Sequence, residues 1–334
     1  MSKFCLKICS FNEDYLSYEA VRQQKGLYAI FIFLYHLALS IDYSPILKYA
    51  PGWKVTAFYF FFSGYGCMFG YMRKDNYDRN FLKKRILPIV TVYIIVFFIY
   101  MIAFMCMGNA VTAYSIFGNM FVYGEPLVRY SWYVLAILLF YIFFFIVMKV
   151  AKSKNTMIAG FAILWSLYVI AIYTVNWGRH WYDTSVLFIV GMIWAYKEDK
   201  IKEIARLCLP LILVLVKLLF EGSKWLQHMF KVGKKGIAMY SLHQIGLVLA
   251  VIAITMFIKV SIPFLGFFGD ISLEILICQG LSFSILSFLE VEWPVWGEIL
   301  FCISVTLALA CPLWCLRKMI GRWAKQEANK RKPA

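Results

Sequence analysis

Ten apolar runs, each close to the length of a membrane-crossing helix, constrain this chain more than any other feature. With soft boundaries they cover 26–41, 53–72, 86–107, 130–149, 157–176, 181–196, 204–220, 237–258, 270–289 and 295–316. A helix needs about 20 mainly apolar residues to cross a bilayer, within a working range of about 17–25. The chain is 62% apolar and only 16% charged, whereas a soluble domain runs closer to half and a quarter. Aromatics crowd the run ends, as with Trp53, Trp132, Trp177, Trp181, Trp293 and Trp296, the belt expected at a lipid–water interface. The first run is followed by further spans and lacks a small-residue cleavage site, so it reads as a retained helix. These observations predict an all-α, polytopic bundle of about ten transmembrane helices.

The net charge of +16 reads first as a topology signal. With the N-terminus inside, the inner segments hold 25 of the 34 Lys and Arg residues and the outer segments 8, with Lys217 inside a span. That asymmetry places both termini in the cytoplasm and argues against nucleic acid as a partner. One loop disobeys: residues 221–236 carry Lys224, Lys231, Lys234 and Lys235 on the outer side. Either that loop is external or the seventh run does not span.

Three segments follow. Residues 1–25 form a cytoplasmic N-terminal piece, whose Phe4, Leu6, Ile8, Phe11, Tyr15 and Leu16 among charges suit an interfacial helix. Residues 26–316 form the ten-helix domain, and 317–334 a basic, solvated cytoplasmic tail. The longest connection, about 108–129, contains Gly108, Gly118, Gly124 and Pro126 and reads as an ordered outer loop. No internal repeat stands out, which disfavours folds built from duplicated halves. The nine cysteines lie mostly inside apolar runs, with no CxxC pair and no Cys/His cluster of zinc spacing. Cys311 and Cys315, one turn apart, read as helix packing. No disulfide framework and no metal is expected.

Ionisable groups inside a span are costly and so mark candidate sites. His36 lies in KGLYAIFIFLYHLAL, eleven residues after Lys25. Eleven residues are close to three helical turns, so both side chains share a face, roughly 16 Å apart along the axis. A cation at the cytoplasmic mouth and an imidazole at depth suit a long substrate with an anionic head. The spacing serves equally a structural His bonded to a neighbouring helix. In FYFFFSGYGCMFGY, Gly64, Gly66 and Gly70 suit close helix packing, while Ser63 can bond a substrate or His36. The inner loop RKDNYDRNFLKKRILPIV clusters Lys83, Lys84 and Arg85 at a helix start, a phosphate-binding arrangement as well as a topology signal. Asp183 and Glu274 lie near helix ends, where solvent or a partner accounts for them.

Taken in order, these pieces resemble acyltransferase family three, the bacterial-type integral membrane O-acyltransferases. The family's RG…H becomes Lys25–Gly26 through His36, and its FF-x-x-SG becomes Phe60–Phe61–Phe62–Ser63–Gly64. Its F-x-x-RR-x-x-R-x-x-P is similar to Phe81–Leu82–Lys83–Lys84–Arg85–Ile86–Leu87–Pro88, and its WFL to Trp132–Tyr133–Val134. The late LG-x-IS-x-E motif is echoed by Phe268 through Ile275, with Gln279 where a His usually stands. A competing counterpart, Tyr240–Ser241–Leu242–His243–Gln244, lies one helix earlier. Lys25 keeps the charge of the family's Arg without its bidentate geometry.

The resemblance implies transfer of an acyl group, usually acetyl, from acyl-coenzyme A to a hydroxyl of a cell-surface carbohydrate. It assigns His36 as general base with Ser63 beside it, and Lys25, Lys83, Lys84 and Arg85 as holders of the coenzyme A phosphates. Trp132 and His243 are the candidate acceptor-side residues, although an interfacial Trp accounts for the first equally well and a structural His accounts for the second better. Acetyl-coenzyme A is then a substrate rather than a bound cofactor. The partners implied are membrane lipid, the carbohydrate acceptor and polysaccharide-assembly proteins, at the inner membrane. The chief rival is a transporter or flippase for a lipid-linked saccharide without covalent chemistry. It calls for paired mid-membrane ions or broken helices, whereas His36, Lys217 and His243 are isolated. A receptor gives no reason for the register of Lys25 and His36.

Overall fold

The computed structural model describes residues 5–8, 11–43, 52–229, 237–291 and 293–330. The described chain is helical apart from one ribbon. Helix α1, Tyr18–Ser40, opens on Ser17, whose hydroxyl accepts the Ala20 amide at 3.3 Å and satisfies an otherwise unpaired donor. Next come α2 (Gly52–Arg73), α3 (Phe81–Arg85) and α4 (Leu87–Cys106), with Pro88 in the first turn of α4, where its missing N–H is harmless. The outer connection holds α5, Asn119–Tyr123, and leads to α6, Trp132–Val150. A reciprocal Ser153–Thr156 capping box starts α7, Lys154–Thr174. The chain continues through α8 (Leu187–Met229), α9 (Ile237–Thr255), α10 (Pro263–Asp270), α11 (Ser272–Leu289) and α12 (Val295–Lys330).

Three features differ from the sequence reading. Cys5–Ile8 is strand β1 where the pattern suggests an interfacial helix. It pairs antiparallel with β2, Ile258–Ser261, Cys5 lying opposite Ser261, so backbone groups that a four-residue helix leaves unpaired find partners. The sixth and seventh runs are parts of one helix, α8, because the intervening KEDKIKE is rich in good helix formers. Arg317, read as the start of a solvated tail, lies inside α12. Residues 331–334, the loop lysines Lys231, Lys234 and Lys235, and Phe4 lie outside the described residues.

The bundle has two ends. At the end where α1 begins, Asn12 Nδ2 donates to the Thr255 carbonyl at 2.9 Å, and Arg206 pairs with Glu13. At the end where α2 begins, the Thr56 and Thr184 hydroxyls lie 3.4 Å apart and Ser241 Oγ donates to the Asp183 carbonyl at 3.3 Å. The first half of α8 and all of α9 therefore run the same way. Five helical stretches, Asp78–Cys106, Trp132–Val150, Lys154–Thr174, Ser272–Leu289 and Val295–Ala324, are long and apolar enough to cross a membrane. Phe98, Ile102, Ile163 and Leu167 stay exposed on these helices, as suits a surface facing lipid tails rather than water.

Phenylalanine fills the interior, with Phe161 stacked on Phe188 at 4.6 Å. Two crossings bring backbones together. A Cβ at Gly64 meets the Phe188 carbonyl oxygen at 1.9 Å, and one at Gly26 meets that of Leu265 at 1.9 Å, so packing accounts for both motif glycines. Gly26→Ala is expected to lower stability by about 1–3 kcal/mol, because α10 must move off α1. Thermal unfolding in detergent checks this, and an unchanged midpoint refutes the tight crossing.

Candidate active site

A cavity of about 690 Å³ is bounded by α1, α2, α3, α4, α6, the α10–α11 junction and α12. That size accommodates a substantial organic ligand. Its mouth lies at the end where α1 begins, among exposed Tyr18, Lys74 and Lys84. Helical periodicity builds the walls. Tyr18, Val21, Arg22 and Lys25 come from successive turns of α1; Tyr59, Ser63, Gly66 and Gly70 from α2; Tyr133, Ile137 and Tyr141 from α6.

The lining is strongly cationic: Arg22, Lys25, Lys74, Lys84, Arg85 and Arg317 face a single acid, Asp270. Asp270 accepts from Arg22 Nη1 at 3.0 Å. Arg317 is spent on buried Glu274, through Nε and through Nη2 at 3.1 Å, and its Nη2 also donates to the Asp270 carbonyl at 2.6 Å. Lys25 and Arg85 differ. Arg85 Nη2 donates to the Gly66 carbonyl at 3.3 Å and to Tyr77 Oη at 3.5 Å, while the Lys25 carbonyl accepts from Tyr59 Oη at 2.7 Å. Among the described residues neither has a carboxylate within ion-pair distance, so their charge is available to an anionic ligand.

His36 stands just beyond this cavity. Gln279 Nε2 lies 3.0 Å from His36 Nδ1, and the Tyr130 ring stacks on the imidazole at 4.0 Å and 14°. The walls lead directly to these contacts. On α11, Leu276 lines the cavity and Gln279 follows one turn later; before α6, Tyr130 precedes the lining Tyr133 by three residues.

The structure brings Lys25, Ser63, Lys84 and Arg85 into one cavity; His36 is outside the lining, and its partner Gln279 lies one turn of α11 beyond the lining Leu276. Ser63 is buried and accepts from Tyr141 Oη at 3.4 Å. Lys83 is not in the lining. Trp132 packs at the opposite end of the bundle, 5.0 Å from His180 and 6.1 Å from Trp181 between ring centroids. His243 is buried on α9, away from the cavity lining. Sequence reasoning missed Arg22, Asp270, Tyr59, Tyr130, Tyr133 and Arg317. Tyr133 carried a signal as the middle residue of the WFL-like segment, and Gln279 as the departure from the late His.

A family model described as an acyltransferase domain matches residues 19–315, nearly the whole chain. Searches of curated proteins and of solved structures return no match.

Proposed function

This chain belongs to acyltransferase family three and is a multi-pass membrane acyltransferase; from that premise we propose that it moves an acyl group, acetyl by preference, from acyl-coenzyme A to a carbohydrate hydroxyl. The observation that carries this reading is the cationic cavity that rises from Lys84 past Lys25 and Arg85 and ends one turn of α11 short of His36.

The coenzyme A phosphates enter at the mouth, where Lys84, Arg85 and Lys25 supply charge-assisted hydrogen bonds. The excess of Lys and Arg at this end supports reading it as the cytoplasmic face, the side on which acyl-coenzyme A is found. The pantetheine arm then lies along α1 and α2 and delivers the thioester towards His36. His36 removes the acceptor's hydroxyl proton as the oxygen attacks the thioester carbonyl; the carbon–sulfur bond breaks, and the proton passes to the coenzyme A thiolate. The acceptor, a cell-surface sugar, comes from the opposite end, where Trp132 and the Tyr130 loop lie.

Binding of acetyl-coenzyme A to the purified protein tests the donor half. Lys25→Ala is expected to raise the dissociation constant about tenfold or more, the effect of one charge-assisted hydrogen bond, whereas His36→Ala leaves it near the native value. No binding at millimolar donor by a folded protein refutes the reading. An equal loss in both variants refutes the division of labour.

A further inference from the structure

Gln279 has a second, more specific consequence for His36. Its side chain is fully buried. Its Nε2 lies 3.0 Å from His36 Nδ1 and donates to the Leu276 carbonyl at 3.3 Å, while its Oε1 is buried without a hydrogen-bond partner. An amide nitrogen has two protons and no lone pair to offer. Both protons are therefore directed, one to a carbonyl that can only accept and one to the imidazole. Turning the amide over places Oε1 against the Leu276 carbonyl oxygen, which repels it and loses that bond. The neighbouring carbonyl thus fixes the amide, and the amide fixes the ring: Nδ1 accepts, so the proton of a neutral His36 sits on Nε2. Tyr130, stacked on the face of the ring, holds its plane. Tyr35 lies 5.5 Å away between ring centroids, and Arg129 of the Tyr130 loop is engaged with Ser284 at 3.2 Å. Among the described residues no carboxylate touches the imidazole.

We propose that Gln279 is a positioning residue that holds His36 with its proton on Nε2, so that the ring meets substrate first as a hydrogen-bond donor and becomes a base at Nε2 only when the proton is moved to Nδ1. The inference rests on the reading of His36 as the proton-handling group. In the resting state Nε2–H can donate to the thioester carbonyl oxygen. Removal of the acceptor's proton at Nε2 requires a water molecule to take the Nε2 proton and return one to Nδ1, and the amide to turn so that Oε1 accepts from Nδ1–H; the orphaned oxygen gains a partner at the cost of the bond to the Leu276 carbonyl. The two positions of one amide thus correspond to the two roles of one imidazole. A carboxylate at 279 has no proton to donate when ionised, and it removes the first position.

Nitrogen-15 NMR of the ring nitrogens decides the matter, since the chain has only four histidines and His36→Gln identifies the signal. The native protein is expected to show His36 protonated at Nε2. Gln279→Glu is expected to move the proton to Nδ1, and Gln279→Leu to leave a mixture. A native ring protonated at Nδ1, or a tautomer unchanged in both variants, overturns the proposal. Transfer assays then separate the two claims. If His36 is the base, Gln279→Glu raises turnover at saturating substrates at least twofold with the acetyl-coenzyme A dissociation constant unchanged. A moved tautomer with unchanged turnover supports the role of Gln279 and refutes His36 as the base. A changed donor affinity with the tautomer unmoved marks Gln279 as merely structural and overturns the proposal.

Discussion

His36→Ala is expected to reduce acyl transfer by about 10²–10⁴-fold, the usual worth of a positioned general acid–base group, in a protein that still folds and still binds donor. The separation follows from the geometry. The cations proposed to meet the donor's phosphates, Lys25, Lys84 and Arg85, line the cavity, whereas His36 is outside the lining, against Gln279 and Tyr130. Truncation at 36 therefore removes the proton-handling group without touching the anion site. The stack on Tyr130 and one hydrogen bond are lost, a modest structural penalty of about 1–3 kcal/mol. Transfer of a radiolabelled acetyl group, measured beside donor affinity and the thermal midpoint, gives the three readouts. Undiminished transfer sinks the assignment of His36. A lost midpoint makes the residue structural instead, the role its spacing served equally well.

The second large effect concerns stability. Glu274 is fully buried and Arg317 half-buried, and the two are joined through Nε and Nη2 of the guanidinium. Taking one partner from such a pair leaves a charge without compensation, at a cost of about 3–5 kcal/mol. Glu274→Ala is expected to unfold far earlier than the native protein in detergent, and to free Arg317 into the cavity. Glu274→Leu combined with Arg317→Met removes both charges together and is expected to recover most of the loss, because a well-packed apolar pair is often equivalent to a buried ionic one. If the double variant is as unstable as the single one, the pair is not what matters there, and the Arg317 bond to the Asp270 carbonyl carries the stability instead.

Much of the helical frame was legible because period and length are local properties. The run from Trp132 to Val150 and that from Ser272 to Leu289 are nearly as the pattern predicts. The merging of the sixth and seventh runs into α8 had a local cause in KEDKIKE, but at the N-terminus a neighbour remote in sequence decided. Cys5–Ile8 becomes a strand because Ile258–Ser261 lies beside it, and no local signal carries that. The site divides in the same way. Lys25, Ser63, Lys84 and Arg85 come from three motifs and meet in one cavity, whereas Arg22 and Arg317 carried no motif of their own and Asp270 fills an unspecified position of the late motif. Their importance comes from the crossing of α10 on α1 and from the extension of α12, both tertiary facts. Trp132 illustrates the converse: its aromatic character was plain, yet its neighbours are His180 and Trp181 rather than the cavity.

The ribbon between Cys5–Ile8 and Ile258–Ser261 bears on the order in which the molecule assembles. About 250 residues separate the paired strands, and the same gap separates Arg22 from Asp270 and Gly26 from Leu265. A chain emerging from the ribosome delivers α1 to the bilayer long before those partners exist, since domains are made N-terminus first at about 5–20 residues per second. For that interval Lys25 faces lipid or loosely held helices rather than a finished wall. The cationic cavity is thus a late product of biogenesis, complete only when α10 docks on α1 and the ribbon is made. Chains stopped before residue 258 are expected to insert their early helices and yet to hold no acyl-coenzyme A.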